Sequence, residues 1–277
     1  MPRNLNALIE NGLASVFAVS LLIAPIADAY SFEEVSHQSG FDESSATPSL
    51  EHGGEHSDYR SVRVPGDQPW VLPAGVVVLH LNDLIVERGG RIIVTPQTSS
   101  VRLVVHGNSY FAEGARIEIR GANGSGAGAQ GGQAASFEAD LGAAKVLGLD
   151  VVSRGGDGAQ GATGSPGANA SRKRCTGDGG RRAGSGGRGG RGGDAGDGGD
   201  ITIEYALGSD IVHLQARSIP GDPGAGGAGG RGGNGTSSVS CFGYRRGGHS
   251  AGHTGRTGSP GEAGREGDVV VTALSHS

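Results

Sequence analysis

Glycine returns at every third position over four stretches of this chain: Gly155 to Gly167, Gly184 to Gly199, Gly221 to Gly233 and Gly252 to Gly267. A three-residue period matches neither the helical nor the strand repeat, and it is the period of a polyproline II type helix, which makes no hydrogen bonds within itself. Glycine is costly to order and brings no side chain to pack. Runs of this kind therefore serve backbones that approach one another closely along lines. With 56 glycines in 277 residues and aromatics at 4%, any oily core is small.

A helix of this type has three faces, each made of every third residue. In the run ending at Gly199, one face is Gly187, Gly190, Gly193, Gly196 and Gly199, and a second is Gly186, Gly189, Gly192, Ala195 and Gly198. The third carries Arg188, Arg191, Asp194, Asp197 and Asp200. The run from Gly221 repeats this, with Gly226, Gly229, Gly232 and Gly235 as its second bare face. The runs from Gly155 and from Gly252 have a single all-glycine face. The order single, double, double, single predicts two inner and two outer runs whose N–H and C=O groups bond between runs. Collagen shares the period, but these runs are short, interrupted by loops and poor in proline, chiefly Pro166, Pro223 and Pro260.

The rest of the chain divides by composition. Residues 1–29 have the form of an export signal: Arg3, an apolar stretch from Leu13 to Ile26, then Ala27-Asp28-Ala29 as a small-x-small cleavage site. That stretch is short for a membrane span, and no later segment could cross as a helix. Residues 30–62 are acidic and polar, the composition of a disordered linker. Residues 63–120 read as short β-branched strands, namely 76–81, 84–86, 91–94, 101–106 and 116–119. Glu87 to Val94 and Ala112 to Ile119 are alike, the repeat expected of a β-solenoid rung, with a sandwich as the alternative. Residues 121–277 alternate strands with glycine runs and duplicate a unit at about 149–206 and 212–273. The fold class expected is mostly β plus irregular, with almost no α-helix in the mature chain.

The GxxGxxG triplets, as in GRGGRGGDAGDGGD (Gly187 to Asp200) and GSPG (Gly164 to Gly167, Gly258 to Gly261), resemble those of the polyglycine II bundle proteins. These include the tip adhesins of T-even phage tail fibres and the springtail antifreeze proteins, and the resemblance covers roughly Gly121 to Asp268. It implies a bundle of glycine helices whose connecting loops bind a host surface; the matching segments here are Ala168 to Thr176 and Thr236 to Ser250.

Those loops hold the densest positive charge in a chain of net charge -5: Arg172, Lys173, Arg174, Arg181 and Arg182 in one, and Tyr244, Arg245 and Arg246 in the other. The only two cysteines, Cys175 and Cys241, lie one in each, and in an exported chain an even count predicts a disulfide joining equivalent loops. The product is a basic tip suited to phosphate, sulfate or carboxylate groups of surface polysaccharides. The alternative is a solvated loop that keeps the protein soluble.

Other signals are thinner. Gly187 to Gly193 is similar to an RGG box, but export and the neighbouring aspartates argue against nucleic acid. Asp194, Asp197 and Asp200 share a face and are weak candidates for a cation, against an Asp ladder that neutralises nearby arginine. His249 and His253 are four apart, a helical spacing that a three-fold helix does not put on one face, and His52 and His56 fall in the linker. No nucleophile elbow, phosphate loop or HExxH stands out, and no cofactor is implied.

The composition thus predicts an exported, disulfide-bonded, glycine-rich protein of a cell surface or extracellular matrix, without catalytic activity. Its partner would be an anionic polysaccharide or cell-surface component, bound through the loops. The alternative is a structural component that forms filaments or homo-oligomers through its β-region. A polysaccharide-active enzyme on a β-solenoid is the third reading.

Overall fold

A computed structural model of the chain describes residues 60–72, 75, 78–96 and 99–275. The residues read as an export signal, 1–29, and most of those read as linker, 30–59, lie outside these residues. The described chain is mostly β and contains no helix.

The first strands are β1 (Arg60–Val64), which takes in the last residues read as linker, β2 (Trp70–Leu72), β3 (Val78–Val86) and β4 (Arg91–Val94). Then come three sets of three: β5 (Ser100–Val105), β6 (Asn108–Phe111) and β7 (Ala115–Arg120); β8 (Ser136–Asp140), β9 (Ala143–Val146) and β10 (Leu149–Arg154); β11 (Ile201–Ala206), β12 (Asp210–Ile211) and β13 (Leu214–Ile219). A short hairpin, β14 (Val239–Cys241) and β15 (Tyr244–Arg246), precedes the last strand, β16 (Val269–Leu274).

From β4 to β10 every strand pairs in parallel with the one three later in the chain. The result is a nine-stranded sheet, ordered β12-β9-β6-β3-β5-β8-β11-β16 with β1 also on β3, and a five-stranded sheet, β13-β10-β7-β4-β2. Strand β3 serves two arms of the larger sheet: Val78 to Leu81 pair with β5, and Leu84 to Val86 pair with β6. The two expected strands 76–81 and 84–86 are thus one strand with Asn82 and Asp83 at its middle. Parallel pairing in both sheets is not the arrangement of an antiparallel sandwich.

Like side chains stack in columns because the register is parallel and unshifted. Val101, Phe137 and Ile201 follow one another, as do Leu103, Ala139 and Ile203. Both columns are buried and join Ile92, Ile117 and Ile119 of the smaller sheet in one core. The columns continue to Val269 and Val271 of β16, but there the exposure rises to 41% and 43%, because no strand follows.

After β7, β10 and β13 the chain leaves the sheets and returns at the start of the next set, through residues 121–135, 155–200 and 220–268. Apart from the hairpin, these excursions carry neither strand nor helix. Their backbones bond to one another every third residue. Gly158, Gly161, Gly164 and Gly167 donate N–H to the carbonyls of Asp222, Ala225, Ala228 and Arg231. Gly184, Gly187, Gly190, Gly193 and Gly196 donate to the run 156–168, and Gly186, Gly189, Gly192 and Gly198 donate to the run 253–265. Gly221 to Gly233 in turn donate to the run 184–196.

The positions of the glycines follow from this contact map. A Cβ on Gly189 would collide with the Gly227 carbonyl oxygen, and one on Gly190 would stand 2.9 Å from the Ala162 nitrogen. Gly227 and Gly229 would collide with Ala162 and Gly255 respectively. The two runs with two bare faces, 184–199 and 221–235, are those pressed between neighbours on both faces. In the last run the single glycine face, Gly252 to Gly267, lies against the carbonyls of residues 184–199, and Gly252, Gly255, Gly258 and Gly261 donate N–H to the run 224–233.

Candidate binding tip

The two longer excursions reverse direction far from the sheets, and the reversals form the tip. In the first, Ser171 and Arg181 close the loop: the Ser171 N–H donates to the Arg181 carbonyl at 2.9 Å and the Arg181 N–H to the Ser171 hydroxyl at 2.6 Å. Asp178 caps the turn by accepting the Gly180 N–H at 2.9 Å. In the second, the Thr236 N–H donates to the His249 carbonyl at 2.8 Å, and β14 pairs antiparallel with β15.

The loops are locked to each other. Cys175 and Cys241 form a disulfide with a Cα separation of 5.5 Å. The Tyr244 hydroxyl donates to the Cys175 carbonyl at 3.0 Å, and the Arg246 guanidinium to the Arg174 carbonyl at 2.5 Å. The His249 Nε2 lies 2.9 Å from the Gly179 carbonyl, where only its N–H form can bond. The Asn169 side-chain oxygen accepts the Asn234 N–H at 2.8 Å.

All eight residues expected at the tip lie in these two reversals, with different duties. Tyr244 and Arg246 hold one loop to the other, and Arg172 reaches Ser237 at 3.5 Å. Lys173, Arg174, Arg181, Arg182 and Arg245 make no ion pair among the described residues, and all but half-buried Lys173 are exposed. Asp178 is the single carboxylate in either reversal. One residue at the tip has no counterpart among those expected. Phe242, at the apex of the hairpin, is 105% exposed. Its sequence signal is the tetrad Cys241-Phe242-Gly243-Tyr244, in which Gly243 takes a φ of 76°, the left-handed conformation that a tight hairpin turn demands.

Asp194, Asp197 and Asp200 have a structural duty. Their Oδ1 atoms accept the N–H groups of Glu262, Arg265 and Asp268 at 2.7, 2.7 and 2.9 Å, and Asp194 also receives Arg191. Asn123 and Asp157 do the same for Asp157 and Asp222. This Asx ladder satisfies N–H groups on the polar face, which glycine-to-backbone bonds do not reach. No group of three or more His, Cys, Asp or Glu placed to hold a metal ion occurs among the described residues.

A second feature is a groove of about 530 Å³ along the outer face of the smaller sheet, at the foot of the excursions. Arg116, Glu118, Arg120, Arg154, Asp157 and Arg217 line it. Glu118 is buried and paired with Arg120 at 2.7 Å and Arg116 at 3.8 Å, while Arg154 is held by Asp157 at 3.1 Å and Asp222 at 2.9 Å. Its charges are thus largely matched internally. The period-two alternation Arg116, Glu118, Arg120 on β7 is the signal by which it could have been found.

Comparison of the chain with protein-family models, with curated proteins and with solved structures returns no match.

Proposed function

We propose that this is an exported, non-enzymatic surface or matrix protein that binds an anionic partner through the disulfide-locked tip. In this reading the stacked strands are a three-faced β-solenoid. The excursions are polyglycine II helices, laid side by side at one corner of the solenoid so that each layer of the bundle continues a layer of strands. The three-residue hydrogen-bond period and the double glycine faces of the two inner runs support the bundle. The parallel pairing of strands three apart supports the solenoid.

The observation that carries the functional reading is the local excess of cations over carboxylates. Arginines without an ion pair among the described residues, such as Arg91, Arg217 and Arg231, also stand singly elsewhere on the surface, whereas the two reversals gather Arg172, Lys173, Arg174, Arg181, Arg182, Arg245 and Arg246 around one carboxylate, Asp178. At the tip Arg174, Arg181, Arg182 and Arg245 are exposed, unpaired among the described residues, and mounted on a framework too cross-linked to fold back on itself. Such an array favours phosphate, sulfate or carboxylate groups displayed on a surface, an anionic polysaccharide among them. The test is retention of the protein on a sulfated or uronate polysaccharide matrix under a salt gradient. Replacing Arg174, Arg181, Arg182 and Arg245 together by Ala should abolish retention while leaving the disulfide formed. Unchanged retention would sink the reading.

A second reading, assembly with another copy of this chain, rests on the uncovered end of the sheets. Val269, Val270 and Val271 are 41% to 49% exposed on a strand without a charged residue, whereas natural edge strands are normally blunted by charge. Asp210 at that end and Arg63 at the other occupy equivalent register positions, through Lys145, Tyr110 and Ile85, so a stacked copy would bring opposite charges together. Sedimentation of Val270→Lys against the unaltered protein distinguishes the cases: assemblies that the charge does not dissolve would exclude this route.

A further inference from the structure

We infer that the tip docks on an anionic lipid surface, with Phe242 as the inserted residue and the surrounding cations as its electrostatic collar. The inference rests on the reading of the tip as the binding end and names the partner of that site.

Phe242 is not a loosely exposed side chain of the usual kind. It sits at the apex of β14 and β15, where Cys241 pairs with Tyr244 and the turn is Phe242-Gly243. Cys241 is tied to Cys175, and Tyr244 is tied to the Cys175 carbonyl, so the two residues flanking the turn are both anchored to the opposite loop. The backbone that carries the ring is therefore held at the apex. No apolar cover is available below it, since the runs beneath present glycine backbone and short or polar side chains. A rigid mount that holds a whole apolar ring in water at the outermost point of a structure makes physical sense when the ring is buried on binding.

The shape of the tip selects among anionic partners. A sugar chain is gripped in a groove or on a flat platform that presents several polar groups to one ring. Here the aromatic stands alone on a convex apex, and the hydroxyl of the neighbouring Tyr244, itself 54% exposed, is already engaged. A headgroup layer suits this shape: an apolar ring enters it, amphipathic Tyr244 lies at its level, and Lys173, Arg174 and Arg245 meet lipid phosphates. One aromatic side chain and a few cations give weak, reversible and salt-sensitive attachment, the regime in which each part contributes measurably.

Co-sedimentation of the full chain with vesicles tests this. Binding is expected to mixed vesicles of phosphatidylcholine and phosphatidylglycerol, to be absent with phosphatidylcholine alone, and to fall as salt rises. Phe242→Ala should lower partition into the mixed vesicles by roughly tenfold or more, and Phe242→Trp should restore it with a blue shift of the added emission on binding. Vesicle binding indifferent to Phe242→Ala overturns the inference. So does arginine-dependent retention on the polysaccharide with no vesicle binding at all, a result that leaves the tip reading intact. Loss of both activities in the unaltered protein overturns both.

Discussion

Between Leu149 and Arg154 the chain lies in register against β13, Leu149 opposite Leu214 and Arg154 opposite Ile219. Beyond Arg154 the same neighbour is kept: Gly155 donates to Ile219, Gly158 to Asp222 and Gly161 to Ala225. The register thus runs unbroken from sheet to glycine run, while what is buried changes completely. In the sheets the spacing between backbones is filled by side chains such as Phe137, Ile117 and Leu149, each under 2% exposed. In the runs nothing fills it; the backbones close up until a single Cβ on Gly186, Gly189 or Gly192 would strike a carbonyl oxygen. Apolar burial holds the first region, with hydrogen bonds setting its register. In the second, hydrogen bonds between runs do nearly all the holding, so it depends on every one being made.

The comparison is broken most severely by adding a side chain where none fits. Gly189→Val should prevent the runs from packing, an effect beyond the roughly 1–3 kcal/mol of ordinary overpacking, because the atom struck is the backbone of Gly227 rather than a movable side chain. Hydrogen exchange should then show lost protection at Gly158 to Gly167 and Gly221 to Gly233, with β5 to β8 still protected. Gly179→Ala is the matched control: nothing lies within 4 Å of its Cβ position, and no loss is expected.

In the sheets the sensitive change is a deletion. Phe137→Ala, which empties a site 1% exposed, should cost about 3–5 kcal/mol in denaturant unfolding. If it also removed amide protection in the glycine runs, the two regions would be one cooperative unit rather than two. Cys175→Ser removes a bridge spanning 66 residues and should cost about 2–4 kcal/mol, with the loss confined to residues 169–183 and 236–251 because the runs below are bonded independently.

The smallest expected effect is a pH dependence in the sheets. The Asp83 carboxylate accepts the Asn108 N–H at 3.0 Å and the Ser61 hydroxyl at 2.9 Å, and these bonds hold its pKa below the ordinary value. A depressed folded pKa contributes stability that is present above the unfolded value of about 3.9 and lost as pH falls through the folded one. Asp83→Asn should therefore flatten the acid limb of the stability curve slightly, by lowering stability a little at neutral pH and leaving it unchanged in acid. An acid limb identical in both proteins would show that the bond carries no linkage.

Legibility differed between the two regions for physical reasons. The glycine faces could be sorted by eye because one residue type reports one requirement, the absence of Cβ. Strands β8 and β9 carry no strand signal of their own: Ser136-Phe137-Glu138-Ala139-Asp140 and Ala143-Ala144-Lys145-Val146 are short and rich in small residues, and they are strands because β5, β6 and β11 pair with them. The cationic tip is visible as composition, while Phe242 is marked only by the turn glycine beside it, Gly243, because a single aromatic has no periodicity. The Asx ladder was legible only as spacing; that Asp194 and Asp197 serve Glu262 and Arg265 depends on which run lies beside them.

By itself, then, the sequence determined that backbones must approach along lines, which runs are bare on two faces, and that both cysteines lie in the loops between runs. These are properties of residues and their near neighbours. Tertiary structure alone decided which run meets which, that Tyr244 and Arg246 brace the opposite loop, and that an apex phenylalanine is left in water. Each of those depends on register between residues far apart in the chain, and that register is set by the stacking of whole layers of strands, Leu149 on Leu214 and Ile201 on Val269.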